Sequence, residues 1–209
     1  MNNLHRKPLY IKMHCEFMFN FMGISGERPR PRIWTDQKPD PVVNQFGKPI
    51  FDPATLDGLS DFDGVFSIVK KAVKFVTGRE RSGLGLALSN LPVTVGAYWQ
   101  VGGNYIVMND ILIRKMSNIA RNRREFNSFV FMILAHEYLH SLGYIEEWTA
   151  REMTRKVAEA AFGKEHPAYI MSSDDVWKLY PQLLELRGGD GSTLKIVEKF
   201  DSDSLDYFA

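Results

Sequence analysis

Phe129-Val130-Phe131-Met132-Ile133-Leu134-Ala135-His136-Glu137-Tyr138-Leu139-His140-Ser141-Leu142-Gly143 is an apolar run that admits His136, Glu137 and His140 near its end. Its length and apolar character predict a buried helix ending at about His140, with Gly143 placed as a C-terminal cap free to take positive φ. On a helix, residues four apart project from one face, so both imidazoles can reach a single metal ion. Imidazole nitrogen suits zinc, which lowers the pKa of a bound water to about 7. Glu137 follows the first histidine and is placed to act as general base on that water. Without such a ligand, three polar side chains in so apolar a setting would each need another partner.

Composition bounds the rest. A chain of 209 residues with 44% hydrophobic content can bury a full core as one domain with extensions. A net charge of +1 argues against a general nucleic-acid binder. The single cysteine, Cys15, excludes an intramolecular disulfide and fits a reducing compartment. The apolar segment Tyr10 to Met22 is broken by Lys12, His14, Glu16 and Asn20, a poor signal-peptide core, and no run is long enough to span a bilayer. The expectation is a cytoplasmic protein without a membrane partner.

Three regions follow from the punctuation of the chain. Residues 1–60 read as an irregular N-terminal extension, because Pro29, Pro31, Pro39, Pro41, Pro49 and Pro53 discourage regular structure. Residues 61–187 form the expected domain. Ser60 or Asp61 caps a helix carrying Phe62, Val65, Phe66, Val69, Val73 and Val76, stopped by Gly78. Leu84–Leu88, Val93–Val101 and Asn104–Met108 read as strands, the last two parted by a hairpin turn at Gly102-Gly103. Asp110 to Met116 reads as a short turn, and a further helix runs from about Glu146 to Phe162. The fold class is α+β: a small mixed sheet with an active-site helix and a following helix. Residues 188–209 open with Gly188-Gly189-Asp190-Gly191-Ser192 and read as a flexible C-terminal tail that binds a partner or occludes a cleft.

Catalytic zinc usually takes three protein ligands. The candidates for the third are Glu146, Glu147, Glu152 and His166. Ala150, Met153, Val157, Ala160 and Ala161 define the apolar face of the following helix. Extrapolated backwards at about 100° per residue, Glu146 falls roughly 20° from the centre of that face and Glu147 about 80° away. A carboxylate aimed into a core wants a cation, so Glu146 is the expected ligand, with Glu147 next.

These residues resemble the zincin metallopeptidases. The run from His136 to Glu146 is similar to the elongated motif of the metzincin branch, with Glu146 where that branch usually has histidine. Tyr169-Ile170-Met171-Ser172 resembles the metzincin Met-turn, which implies Met171 as an apolar floor beneath the metal. Glu147-Trp148-Thr149-Ala150 is similar to the ExxA around the third ligand of some gluzincins, a branch with small soluble archaeal members. The resemblance implies a zincin-like fold. It also implies that the strand region Tyr98–Asn109 offers an edge to extended peptide, which a free strand edge does physically through its backbone groups.

The resulting expectation is a zinc metalloendopeptidase acting on a peptide or protein substrate. His136, His140 and Glu146 would hold Zn2+ as its cofactor, and Glu137 would be the catalytic base. Tyr138 and Tyr144 are weighed as oxyanion support against ordinary packing, and packing is preferred for both. The alternatives are a metal-dependent ribonuclease, which the Leu142-Gly143-Tyr144 turn resembles but Glu137 disfavours, and a non-catalytic zinc-binding protein. Cys15 is weighed as an inhibitory thiolate against an inert packed thiol, and the packed thiol is preferred. Arg114, Lys115, Arg121, Arg123 and Arg124 read as a solvated basic helix face rather than a nucleic-acid contact.

Overall fold

The structure, a computed structural model, describes residues 48–203. Cys15, the Tyr10–Met22 run, the prolines up to Pro41 and the last residues of the tail lie outside that span. The described chain is α+β, as its sequence predicts, with a small mixed sheet packed against helices.

The first helix, α1 (Phe62–Thr77), starts where Asp61 accepts a hydrogen bond from the Gly64 amide at 2.8 Å and stops where Gly78 turns with φ 67°. Such a cap contributes about 1 kcal/mol. Its apolar stripe of Val65, Phe66, Val69, Val73 and Val76 is buried. Strands β1 (Gly85–Ser89), β2 (Ala97–Trp99), β3 (Tyr105–Asn109) and β4 (Lys195–Val197) form a sheet in the order β2-β3-β1-β4. β1 runs parallel to β3, while β2 and β4 are antiparallel to their neighbours. The hairpin expected at Gly102-Gly103 joins β2 to β3, although β2 is shorter than its sequence suggests because Pro92 to Val95 form a turn.

Asp110–Ile119 is a helix, α2, rather than the short turn expected there. Asn109 caps it through the Ile111 amide, and Leu112, Ile113 and Met116 supply a buried stripe at helical spacing. α3 (Arg123–Ser141) is the central element, buried at every residue from Asn127 to His140. It packs on α1, on β2, on α4 (Glu147–Phe162) and on α5 (Pro167–Ser173), so its ridges meet protein on all sides. A last short helix, α6 (Val176–Leu179), leads into a 3-10 turn.

Both ends of the described chain are built into this core. The irregular stretch before α1 donates from the Ile50 and Phe51 amides to the Ala160 and Ala161 carbonyls, and Leu56 is fully buried. The described part of the tail, residues 188–203, also differs from the flexible segment expected. β4 pairs with β1, and Phe200 stacks on Phe66 with ring centroids 4.4 Å apart. The Asp201 carboxylate accepts from the Gly83 and Leu84 amides and pairs with Lys70 at 2.5 Å. The glycines that read as a linker serve close packing: a Cβ on Gly189 would sit 2.3 Å from the Asn90 carbonyl oxygen.

Candidate metal centre

α3 sets His136 and His140 one turn apart, both essentially sealed from solvent. Their Nε2 atoms converge to 2.9 Å, with the rings edge-to-face. The helix then stops in a tight reversal: Gly143 takes φ 96°, and the Tyr144 amide returns to the Leu139 carbonyl at 3.1 Å. That reversal brings the Tyr144 carbonyl oxygen to 2.8 Å from His140 Nδ1. A carbonyl only accepts, so His140 carries a proton on Nδ1, and in the neutral ring Nε2 is the nitrogen left to serve as a metal donor.

The third member of the cluster is Glu147. Its Oε2 lies 3.4 Å from His136 Nε2 and 3.5 Å from His140 Nε2, while its Oε1 accepts from Arg151 Nε at 2.6 Å. His136, His140 and Glu147 form the one group of potential metal ligands of this kind among the described residues. This corrects the choice of Glu146 by one residue. Glu146 is the exposed residue before the helix, with an extended ψ of 122° and no side-chain cap bond. A rotation of 100° per residue does not continue through a residue that is not helical, so the extrapolation failed at its last step.

The donors fit zinc. Four ligands arranged tetrahedrally at about 2.0–2.1 Å from zinc stand roughly 3.3–3.4 Å from one another. The observed edges of 2.9, 3.4 and 3.5 Å bracket that spacing, and two imidazoles with a carboxylate are a donor set zinc accepts. Two buried polar atoms nearby, Glu137 Oε1 and His136 Nδ1, have no hydrogen-bond partner among the described residues.

Electrostatics divides the four groups. Burial raises the Glu137 carboxyl to about 7; the Glu147 charge adds to this, while His140 and a backbone hydrogen bond from Trp99 oppose it. Burial would raise Glu147 too, but the two imidazoles and Arg151 reverse that and hold it well below the ordinary carboxylate range. His136 is pushed down by burial, against the pull of Glu147. Burial also works downward on His140, yet Glu147, Glu137 and the Tyr144 carbonyl outweigh it and leave that ring raised. The arrangement joins a three-donor cluster to a buried carboxyl poised near neutrality.

Compared with known proteins, the chain matches no family model, no curated protein and no solved structure.

The other expected residues fall as follows. Met171 is buried beside the centre but on the helix α5, not in a turn, and it lines a cavity of about 80 Å³ with Met132, Ile133, His136 and Val176. The Tyr138 hydroxyl accepts from the Arg81 amide at 2.7 Å and donates to the Arg81 carbonyl at 3.0 Å, which commits it to that loop. Tyr144 contributes its carbonyl, while its ring lies under the Arg79 guanidinium. Glu152 pairs with Arg155, and His166 caps α5 while facing the Pro53 carbonyl, so neither joins the cluster. Within the basic face, Arg114 pairs with Asp110, Arg121 with Glu125 and Arg124 with Asp57. Sequence reasoning missed Arg151 and the Trp99 backbone. The Glu147–Arg151 spacing of four was a visible signal for the first. A backbone amide leaves no trace in sequence. No helix among the described residues is long and apolar enough to cross a membrane.

Proposed function

We propose that this protein is a zinc-dependent metallopeptidase that cleaves peptide bonds hydrolytically, with His136, His140 and Glu147 holding the metal and Glu137 as the general base. The observation that carries the reading is geometric: His136, His140 and Glu147 converge within metal-binding distance of one another, and the buried Glu137 carboxyl follows His136 on the same helix. Zinc, when bound, supplies Lewis acidity toward a carbonyl oxygen and toward water.

The chain's own residues supply the rest. Glu137 removes a proton from the attacking water as its oxygen bonds to the scissile carbonyl carbon. It then delivers that proton to the departing amine nitrogen as the C–N bond breaks, ending in its starting form. His140 keeps its Nδ1 proton on the Tyr144 carbonyl throughout, which fixes its ring.

Substrate reading follows from β2. It pairs with β3 on one side, its other edge has no partner strand among the described residues, and Trp99 at its end donates a backbone hydrogen bond to Glu137. An extended peptide added along that edge would pass beside the general base. The cavity next to His136, walled by Met132, Ile133 and Met171 on one side and by Arg151, Asp174 and Asp175 on the other, suits one small substrate side chain near the scissile bond. Lone Cys15 supports a reducing, cytoplasmic setting.

The test is Glu137→Gln in the full chain. Retained zinc with peptide hydrolysis lost by about 10²-fold or more is the expected result. Undiminished hydrolysis in that variant removes Glu137 from the role. Zinc held tightly by wild type with no hydrolysis of a peptide library would leave a non-catalytic metal site.

A further inference from the structure

We infer that Arg151 is a positioning residue for the metal centre, orienting the Glu147 carboxylate so that one oxygen faces the two imidazoles. The inference rests on the metal-site reading above and concerns how this chain builds its third ligand.

Glu147 is the first residue of α4 and stands at the edge of the site, with its side chain 40% exposed. A glutamate in that position has three rotatable side-chain bonds and solvent on one side, so it would spend little time aimed at the imidazoles unless held. His136 and His140 need no such help, since α3 is buried around them. Arg151 lies one turn further along α4 and donates Nε–H to Glu147 Oε1 at 2.6 Å. That bond takes one oxygen and leaves Oε2 at 3.4 and 3.5 Å from the two Nε2 atoms.

Ordinary exposed pairs at this spacing contribute little, because two free side chains must be ordered to form them. Arg151 differs from those pairs. It lines the cavity beside His136 together with Thr154 from its own helix and Met171 and Ser172 from α5. With 33% of its side chain exposed, Arg151 is partly covered, so some of its conformational freedom is already lost before any ligand arrives. The guanidinium Nε–H also points in a fixed direction set by its planar group, whereas an ammonium rotates freely.

Outer partners of metal ligands typically change affinity by about 10- to 100-fold when removed. The experiment is a Zn2+ competition titration against a chromophoric chelator, on the full chain, for wild type, Arg151→Met, Arg151→Lys, Glu147→Ala and the Glu147→Ala/Arg151→Met double variant. Far-ultraviolet circular dichroism reports the fold of each. The expected result is a loss of about 10- to 100-fold in Arg151→Met, partial recovery in Arg151→Lys, and no further loss from Arg151→Met when Glu147 is already absent. Wild-type affinity in Arg151→Met overturns the inference while leaving the metal site standing. An equal loss in both backgrounds also overturns it, since Arg151 would then act through general structure. Failure of wild type to bind zinc overturns the metal-site reading itself.

Discussion

His140 Nδ1 lies 2.8 Å from the Tyr144 carbonyl oxygen, so the turn that ends α3 also sets the tautomer of its last histidine. Gly143 makes this contact attainable, because φ 96° carries the chain back over the helix end. Gly143→Ala therefore has two expected effects. Stability falls by about 1–2 kcal/mol from backbone strain, read by chemical denaturation. Zinc affinity falls as well, because the carbonyl moves. Unchanged affinity would separate the turn from the metal site.

The raised Glu137 carboxyl predicts a pH dependence with a definite sign. Between its ordinary value of 4.5 and about 7, the folded chain keeps a proton that the unfolded chain has released. The contribution of this one group to the stability of the metal-free protein is therefore fully present below that window and is lost as pH rises through it. Glu137→Gln removes this component, so the difference in melting temperature between variant and wild type widens toward pH 7. A constant difference across the window would contradict the assignment.

Docking of the C-terminal segment is equally testable. Gly189→Ala would place a Cβ 2.3 Å from the Asn90 carbonyl oxygen, a backbone atom that cannot swing aside. Asp201→Ala would leave Lys70 and the Gly83 and Leu84 amides without that acceptor. Each is expected to destabilise the fold by about 2–4 kcal/mol, measured by urea denaturation. Stability unchanged in both would mean that the segment contributes nothing to the folded state.

The elements that declare themselves in sequence are those whose stability is local. α1 carries its own cap, stripe and stop in Asp61, Val65 to Val76 and Gly78, and the apolar run ending at His140 leaves a helix little alternative. Non-local features were hidden. β4 forms because Lys195–Val197 meet β1 more than a hundred residues earlier, and no pattern in three residues announces that. Gly188 and Gly189 look the same in sequence whether they loosen a chain or let it approach another backbone. Two of the three clustered residues were legible because one helix spaces them. The third was misplaced by one residue because the N-terminus of α4 falls between Glu146 and Glu147, and helix termini are poorly defined by periodicity.

Zinc content by elemental analysis on the full chain, with Glu146→Ala and Glu147→Ala beside wild type, tests the account most directly. The prediction is about one zinc per chain in wild type and in Glu146→Ala, with the metal lost from Glu147→Ala. Wild type that takes up no zinc, or metal lost from Glu146→Ala and kept by Glu147→Ala, would contradict it.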